Sequence, residues 1–451
     1  MRADLARVSR YHAPVTPPED AVADDRDRYR APIGTYDVLP PESQRWIALV
    51  SAFAARAATY GFGLVLTPVF EHFEVFQRVG ESTDVVRKEM YDFTDKGGRR
   101  LALRPEGTAG VVRAFAQHNP IPPWKVWYVA PHFRYERPQK GRNRQHYQVG
   151  AEVLGIDDPQ LDVEVIALAQ GFYRDLGLRD YTLTINSMGD EADRAAYVAR
   201  LRDHLLTHGA DLGEEFQERV AANPLRVLDS KVREWQSVIE HAPQITEHLS
   251  DTAREHFEAV QQGLDQLGIR HELDPRLVRG LDYYTSTTFE FASQALDAAQ
   301  NGIGGGGRYD KLAESMGAKP TPGIGFGIGI ERVLIACDAE GVFPTRAPTV
   351  DAFVVNGLGV EAGQTVTRLV TELREDGLRA ERAYGDRSVK AQWKAADRSG
   401  AAYAVMLGRA EAERDAVAVK DLRSGEQVEV PREAVAGWLQ LRRESEDDTK
   451  S

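Results

Sequence analysis

The sequence predicts an α+β protein that carries a separate, smaller α/β domain toward its carboxyl end. Two extended apolar runs, 126–135 and 146–154, flank a polar and basic loop, which is the pattern of an antiparallel hairpin. Amphipathic helices with a period near 3.6 residues occur on either side of this hairpin. After a stretch rich in glycine and proline at 341–350, strand and helix signals alternate at the spacing of βαβ units. We therefore expect an antiparallel sheet covered by helices, followed by an independent α/β domain.

Composition sets broad limits on the class of protein. The length of 451 residues suggests two or three domains, and 42% hydrophobic with 28% charged residues is ordinary for a soluble globular chain. No run approaches the roughly 18 apolar residues that a membrane span requires. The single cysteine, Cys337, excludes an intrachain disulfide and fits a reducing compartment. We expect a cytoplasmic protein that makes no membrane contact.

The charge balance bears on a nucleic-acid partner. The chain has 56 basic and 69 acidic residues, a net charge of −13, whereas nucleic-acid binding usually requires a basic surface. One dense basic stretch stands out, formed by Arg134, Arg137, Lys140, Arg142 and Arg144. Because a local basic face can lie on an acidic body, the net charge leaves an RNA partner open.

The loop of the predicted hairpin carries the strongest chemical signal. Arg134 stands near the end of the first strand, and four further basic residues follow it. The guanidinium group is a rigid fork that matches phosphate oxygens. This cluster could therefore bind a triphosphate and, in a later step, the molecule that accepts the transferred group. A single arginine here would more often be a solvated surface group. Five basic residues at one strand edge favour the binding site instead.

Two pairs of polar residues are candidates for binding a small charged ligand. Glu106 and Thr108 lie on a turn formed with proline and glycine, where a carboxylate beside a hydroxyl suits an ammonium group. Gln148 and Glu152 are four residues apart on the second hairpin strand, so both side chains face the same side of the sheet. A surface turn and a solvated strand face are the structural alternatives for these pairs.

Two later segments are expected to complete the site. Residues 279–291 are predicted to be extended, and they place Arg279 close to Tyr283 and Tyr284, whose hydroxyls can orient a polar ligand. The glycine run at 302–307 predicts a turn that allows the backbone to approach a substrate closely. Core tyrosines and a flexible loop are the respective alternatives.

A further glycine pattern suggests a site for a flat ring. Glycines alternate with apolar residues at 323–329, so one face of the predicted strand lacks side chains. Adenine fits such a face, with Arg332 stacked above it; close packing under a helix is the alternative. A dinucleotide-binding fingerprint requires a surrounding βαβ unit, and the sequence shows none around the glycine run at 302–307. No Walker A sequence occurs either. ATP would therefore be bound by a different route.

Together these segments resemble the class II aminoacyl-tRNA synthetases. The basic hairpin resembles their motif 2, residues 323–332 resemble motif 3, and the helix at 42–60 resembles the dimer-forming motif 1. The stretches LVRGLDYYTSTTFEF (277–291) and GGGGRYDKL (304–312) are similar to signatures of the histidyl-tRNA synthetase family. The resemblance covers about residues 31–440. It implies a class II antiparallel-sheet catalytic domain with a helical insertion, plus a carboxyl-terminal α/β anticodon-binding domain.

The resemblance also implies domain boundaries. The first residues form a polar, aperiodic extension that is expected to be disordered and that lacks the apolar core of a secretory signal. The rest of the chain divides into five parts. The expected ranges are 1–30 for the extension, 31–190 and 270–340 for the catalytic domain, 191–269 for the helical insertion, 341–350 for the linker, 351–443 for the anticodon-binding domain and 444–451 for a polar tail.

Roles for individual residues follow from the same resemblance. The residues that would bind the ammonium group of L-histidine are Glu106, Thr108 and Gln148. Those that would read its imidazole ring are Glu152, Tyr284 and, nearby, Tyr283. Those that would take part in catalysis and hold ATP are Arg279 at the reacting carboxylate, Arg134 at the α-phosphate and Arg332 at the far end of the nucleotide. Those that would face ATP or the tRNA acceptor end are Arg142 and Arg144.

The implied partners are tRNA(His), ATP with Mg²⁺, L-histidine and a second copy of the chain. No protein motif for a metal is expected. Asn143 stands where the family usually has a tyrosine, which leaves the role of the loop tip open. Three alternatives differ in class: a synthetase-like regulatory subunit of histidine biosynthesis, a tRNA-sensing module without activity, and a class II enzyme for another amino acid such as proline or threonine.

Overall fold

The computed structural model describes residues 29–77, 80, 83, 85–296, 301–343 and 350–448. Residues 1–28 of the predicted extension and residues 344–349 of the predicted linker lie outside the described part. The chain divides into two compact units, one built mainly from Ala52–Glu340 and the other mainly from Gly341–Ser451. Among the described residues, no helix is both long and apolar enough to cross a membrane.

The first unit is built on two sheets. Its strands in chain order are β1 (Gly63–Leu64), β2 (Phe70–His72), β3 (Asp92–Thr94), β4 (Arg100–Leu103), β5 (Trp124–Phe133), β6 (Gln145–Leu154), β7 (Tyr181–Ser187), β8 (Glu272–Leu273), β9 (Thr285–Ser293), β10 (Gly302–Arg308) and β11 (Gly323–Gly329). The large sheet has the order β1-β5-β6-β11-β10-β9-β7-β8, and the small one has the order β2-β4-β3. Only the outermost pairs of the large sheet are parallel. The predicted antiparallel body is therefore confirmed.

Helices precede, flank and follow these strands. In chain order they are α1 (Glu42–Thr59), α2 (Phe73–Gln77), α3 (Thr108–His118), α4 (Pro159–Asp175), α5 (Glu191–His208), α6 (Glu214–Ala222), α7 (Leu225–Leu228), α8 (Gln236–Glu240), α9 (Asp251–Gln266), α10 (Leu312–Ser315) and α11 (Ile330–Glu340). Phe53 of α1, Phe172 of α4 and Phe326 of β11 meet edge to face, with ring centroids 5.0–6.1 Å apart. Burying each such ring contributes roughly 2–3 kcal/mol, so these contacts hold the helices against the sheet.

The hairpin of β5 and β6 places the candidate site residues. Its register runs from Trp124 opposite Leu154 to Phe133 opposite Gln145, without a bulge. On its other side β6 pairs with β11, which puts Gln148 opposite Gly329 and Glu152 opposite Gly325. Because alternate residues of β6 share a face, both polar side chains lie over the glycine-lined surface of β11.

The helical segment, which comprises residues 191–269, contains helices α5–α9. Its apolar side chains form a cluster of their own that includes Tyr197, Leu201, Phe216 and Trp235. Helix α5 begins with a capping box in which Asp190 and Asp193 each bind the other's backbone N–H. The segment thus has a core of its own, as the predicted helical insertion requires, and its status as a separate domain remains a prediction.

The structure corrects three local predictions. The glycine run at 302–307 is strand β10, not a turn. Residues 279–284 form an irregular loop, and the strand begins only at Thr285. The helix expected at 309–316 is the single turn α10.

Strand β10 is possible because glycine has no Cβ. A Cβ on Gly306 would lie 1.9 Å from the Gly325 carbonyl oxygen of the neighbouring strand. In the irregular loop, polar side chains bind different parts of the unit, since Arg279 binds Glu290 of β9 and the carboxylate of Asp282 binds Asn223 of the helical segment.

The second unit is a mixed α/β domain. Its elements are β12 (Ala352–Asn356), α12 (Gly363–Glu375), β13 (Ala380–Arg382), α13 (Val389–Ser399), β14 (Tyr403–Leu407), α14 (Arg409–Glu413), β15 (Ala416–Asp421), β16 (Gln427–Pro431) and α15 (Val435–Asp448). Strands β13, β12 and β14 are parallel, as the βαβ spacing predicts, and β15 and β16 extend the sheet antiparallel. Residues 444–448 are helical, although a polar tail was expected from 444 onward.

The glycine packing of β10 and β11 can be tested by adding one methyl group. We expect Gly306→Ala to destabilise the first unit by about 3 kcal/mol, because its Cβ would meet backbone atoms that cannot move aside. Gly329→Ala on β11 is the matched control, since the nearest atom to its Cβ is 4.0 Å away. Thermal unfolding followed by circular dichroism measures both, and equal midpoints for the two variants would contradict the packing argument.

Candidate active site

A cavity of about 230 Å³ lies on the face of the large sheet, bounded by the hairpin loop and by strands β6, β9, β10 and β11. Five of the predicted site residues line it: Arg134, Arg142, Gln148, Arg279 and Arg332. They come from four separate stretches of sequence. The antiparallel register therefore brings the basic hairpin, the RGLDYY loop and the start of α11 to one place.

Arginines give the cavity its positive charge. The Arg332 guanidinium donates to the carbonyl oxygens of Gly141, at 3.0 Å, and Gly302, at 2.8 Å, and so ties the hairpin loop to β10. Burial lowers the pKa of Arg279, but Glu290 and the neighbouring tyrosines raise it, and the net shift is upward. Burial and, to a smaller extent, the charge of Arg142 lower the pKa of Arg332 below its ordinary value. A concave surface lined by cations attracts polyanions such as a triphosphate.

The acidic groups of the cavity are bound to partners within the protein. Glu136 forms an ion pair with Arg142 at 2.9 Å, and Glu290 forms one with Arg279. Glu331 accepts hydrogen bonds from the Tyr147 backbone N–H at 2.9 Å and the Tyr36 hydroxyl at 2.8 Å. Each carboxylate therefore orients a neighbouring group, and a ligand phosphate that enters would compete for the arginines.

Below the arginines lies a group of buried carboxyl and hydroxyl side chains. Glu152, which has no solvent-exposed area, accepts hydrogen bonds from the Thr108 hydroxyl at 2.7 Å and the Tyr309 hydroxyl at 2.6 Å. Glu106 accepts the backbone N–H groups of Thr108 and Ala109 at the start of α3, at 2.7 and 2.8 Å. The structure thus brings Glu106 and Thr108, which the sequence analysis took from one turn, together with Glu152 from the second hairpin strand.

The two tyrosines of the RGLDYY loop are near this group. Their rings, Tyr283 and Tyr284, have centroids 4.6 Å apart, and Tyr283 meets Tyr309 edge to face at 5.8 Å. Burial raises the pKa of both phenols, and the charge of Tyr284 raises the pKa of Tyr283 further. Both phenols also raise the pKa of Arg279. Their hydroxyls therefore remain protonated at neutral pH and act as hydrogen-bond donors.

Burial dominates the titration of the two carboxyl groups. It raises the pKa of Glu152 from 4.5 to about 8, although Tyr309 and Thr108 donate to it. It also raises the pKa of Glu106, against the opposing effect of two backbone N–H groups. A carboxyl group with a pKa near 8 holds a proton at neutral pH. A cationic ligand beside Glu152 would favour the carboxylate and lower that pKa.

One predicted residue is elsewhere, and two functional candidates were missed. Arg144 stacks on the Tyr135 ring, 3.9 Å from its centroid, and donates to the Glu136 carbonyl oxygen, so it does not line the cavity. Sequence reasoning did not single out Glu290 or Tyr309. Both stand inside the signature stretches TTFEF and GGGGRYD, which was the signal that could have drawn attention to them.

Comparisons with known proteins agree with this arrangement. A profile described as histidyl-tRNA synthetase matches residues 34–333, and one described as anticodon binding domain matches residues 351–442. The histidine–tRNA ligase of Corynebacterium jeikeium is 49% identical over 94% of this chain and 95% of its own length. That of Rhodococcus erythropolis is 48% identical over 91% of this chain and 97% of its own. The crystal structure of apo histidyl-tRNA synthetase from S. aureus has 35% sequence identity and a TM-score of 0.76, covering 91% and 99% of the two chains.

The antiparallel sheet with its arginine-rich cavity is the catalytic architecture of a class II aminoacyl-tRNA synthetase. The matching profile spans more than half of the sequence, and the relatives match it over nearly their whole length. The chain belongs to the histidyl-tRNA synthetase family.

The raised pKa of Glu152 predicts a pH dependence of stability. The folded-state pKa of Glu152, about 8, exceeds the ordinary value of 4.5, so folding favours the protonated carboxyl group. The contribution of this group to the free energy of unfolding is complete below about pH 4.5 and is lost as the pH rises through about 8. Glu152→Gln cannot titrate. We expect the free energy of unfolding of the wild type to fall, relative to this variant, by up to about 1.4 kcal/mol per pH unit between about pH 4.5 and 8, and to level off above pH 8.

The measurement is the midpoint of thermal unfolding between pH 6 and 9. Glu240→Gln, at an exposed position of the helical segment, is the control and should follow the wild-type curve. Parallel curves for the wild type and Glu152→Gln would show that the carboxyl group of Glu152 does not titrate in this range.

Proposed function

We propose that the chain activates L-histidine with ATP to form histidyl-adenylate, and then transfers the histidyl group to the 3′ end of tRNA(His). AMP and diphosphate are the other products. The observation that carries the proposal is that two environments lie next to each other: an arginine-lined cavity, and a buried carboxyl group that accepts hydrogen bonds from the hydroxyls of Thr108 and Tyr309. The first suits a triphosphate, and the second suits the side chain of histidine.

The histidine side chain would be recognised by Glu152 together with the phenol of Tyr284, with Tyr283 alongside. An imidazole N–H would replace one of the internal donors to the Glu152 carboxyl group. A side chain of similar size that lacks ring nitrogens would displace that internal donor without supplying an N–H in its place. The buried carboxyl group would then lose a hydrogen bond, which costs more than the loss of a methylene contact. The ammonium group would be bound by Glu106, Thr108 and Gln148.

ATP would lie across the arginines. Arg134 would hold the α-phosphate, Arg332 would hold the far end of the nucleotide, and Arg279 would neutralise charge between the histidine carboxylate and the α-phosphate. A carboxylate oxygen attacks the α-phosphorus in line, one P–O bond forms, and the bond to the diphosphate breaks with its electron pair. Such catalysis relies on positioning and charge stabilisation rather than on a protein nucleophile.

Mg²⁺ would enter with ATP. Across the described ranges, no group of three or more His, Cys, Asp or Glu side chains could hold a metal ion. We propose that the ion is carried mainly by the phosphates, where it would neutralise charge on the departing diphosphate. The carboxylate of Glu290 lines the cavity and is the partner of Arg279. Arg279 would thus share the neutralisation of phosphate charge with the ion.

The tRNA would use both units of the chain. Arg142 faces the cavity and Arg144 stacks on the hairpin loop, so these two residues are proposed to approach the acceptor end. In the second unit, Tyr384 is exposed and Arg382 lies over its ring at 4.9 Å, a pairing on which a base can stack. A regulatory subunit without an anticodon-binding domain is disfavoured, because residues 351–442 match that domain.

A homodimer and a cytoplasmic location belong to the same proposal. Apolar side chains remain exposed on β1, β2 and β3 and on the segment that joins β1 to β2: Leu64, Leu66, Val69, Phe70 and Phe93. Leu66 is 73% exposed, and the rings of Phe70 and Phe93 meet at 6.2 Å. An apolar surface of this kind on a water-soluble protein favours association. A second copy of the chain is the proposed partner, and the lone cysteine fits a reducing compartment.

The role of Arg279 can be tested by histidine-dependent exchange of pyrophosphate into ATP. We expect Arg279→Gln to lower kcat by a factor of about 100 or more, because it removes a preorganised positive charge near the reacting phosphate. Arg276→Gln, three residues earlier and half-exposed, is the matched control and should retain exchange. Wild-type exchange driven by a different amino acid would contradict the histidine assignment.

The dimer proposal predicts the effect of one charge on the exposed apolar surface. We expect Phe70→Asp to shift the protein toward monomer in sedimentation-velocity experiments at micromolar concentration, because a carboxylate would be buried without a partner. Leu267→Asp places the same charge at an exposed apolar position at the end of α9, and it should leave the mass unchanged. A monomeric wild type would disprove the proposal.

A further inference from the structure

The loop at 279–284 carries three proposed substrate groups, yet no sheet ladder holds it. Arg279, Tyr283 and Tyr284 all stand on this irregular stretch, and strand β9 begins only after it, at Thr285. A displacement of about 1 Å at such groups can cost a factor of about 100 in rate. Whatever fixes the backbone of this loop therefore determines how well the histidine site is formed.

Arg194, in the first turns of helix α5, binds this loop on both sides of Tyr283. Its Nη1 donates to the Asp282 carbonyl oxygen at 2.5 Å and to the Tyr284 carbonyl oxygen at 3.1 Å. Its Nη2 lies 4.0 Å from the Asp282 carboxylate. The planar guanidinium group suits such a double contact, because its donors have a fixed geometry that lysine lacks.

The environment of Arg194 strengthens these bonds. Only 23% of its side chain is exposed, and burial lowers its pKa while Asp282 raises it. Hydrogen bonds from a charged donor are stronger where water is largely excluded. The arginine therefore fixes the carbonyl groups on either side of Tyr283 rather than forming a loose surface ion pair.

A second tie comes from the same side. Asn223, which follows α6, donates from Nδ2 to the Asp282 carboxylate at 3.2 Å, and its own side-chain oxygen accepts the Leu225 backbone N–H at 3.1 Å. Both Arg194 and Asn223 belong to the helical segment, whose apolar core is separate from that of the sheet. The loop is thus held from the helical segment.

We propose that Arg194 is a positioning residue for the histidine site, through which the helical segment sets the geometry of Tyr283 and Tyr284. The inference rests on the proposed histidine-binding roles of these tyrosines. It assigns the helical segment a function in amino-acid recognition, because any displacement of α5 relative to the sheet shifts both carbonyl groups that Arg194 holds. Arg194 itself touches no substrate.

The test separates the KM for histidine from the KM for ATP in the pyrophosphate exchange assay, using the full chain. We expect Arg194→Ala to raise the KM for histidine at least tenfold and to change the KM for ATP by less than twofold. Arg194→Lys should recover part of the loss, because its ammonium group reaches one carbonyl oxygen but cannot hold both in the same geometry. Arg202→Ala, on the exposed face of the same helix, should leave both constants unchanged.

A double-mutant cycle with Tyr284→Phe identifies the route. If Arg194 acts through Tyr284, the effects of Arg194→Ala and Tyr284→Phe on the histidine KM should be less than multiplicative. A parallel rise in both KM values, or an unchanged histidine KM, would overturn the positioning role. If Arg194→Ala does not fold, Arg194→Lys and Arg194→Gln carry the same comparison.

Different results would reject the proposed histidine site and the positioning role of Arg194. If Tyr284→Phe leaves the histidine KM unchanged while the wild type exchanges with histidine, the assignment of Tyr284 is wrong, and with it the route proposed for Arg194. If Tyr284→Phe raises that KM and Arg194→Ala does not, the site assignment stands and the positioning role alone is rejected.

Discussion

The rest of the site depends on Glu152, a buried carboxyl group that forms no ion pair with a cation among the described residues. Burying it is unfavourable unless both oxygens receive hydrogen bonds, and the chain supplies the hydroxyls of Thr108 and Tyr309 for this purpose. It also requires space. A Cβ on Gly325 of the adjacent strand would lie 1.6 Å from a Glu152 oxygen, so glycine is needed opposite it. Burial of Glu152 therefore requires both glycine in β11 and the hydroxyl of Tyr309 after β10.

The same acid divides the site into two electrostatic halves. Toward the cavity, Arg134, Arg279 and Arg332 make the potential positive, whereas Glu152 and Glu106 with raised pKa values form the interior end. Under the proposed function, a zwitterionic amino acid entering between them would be oriented by charge, with its carboxylate toward the arginines and its side chain toward the buried acid. This orientation would place the nucleophilic oxygen beside the phosphates before any reaction occurs. Specificity and catalysis therefore share one arrangement of charges.

The sequence predicts those parts of the fold whose signal is local. Strands β5 and β6 are long, apolar and separated by one polar loop, and the parallel strands of the second unit keep βαβ spacing, so both were predictable. Strand β10 was not, because glycine has little intrinsic preference for strands. Its strand conformation depends on pairing with β9 on one side and β11 on the other, which the local sequence of β10 does not indicate. Tyr309 and Glu290 were missed for the same reason, since their partners Glu152 and Arg279 are identified only by the register of the sheet and the path of the loop.

The net charge of −13 is unfavourable for binding RNA, and the structure explains why this argument has little force. Net charge describes the whole surface, whereas the arginines proposed to bind ATP are concentrated in one concave site where Glu136 and Glu290 pair with Arg142 and Arg279. These ion pairs keep the guanidinium groups oriented in the absence of phosphate, and a polyanion can displace the carboxylates because it brings more charge to the same fork. The acidic remainder of the surface repels RNA elsewhere, so it restricts approach to the few basic places instead of preventing binding.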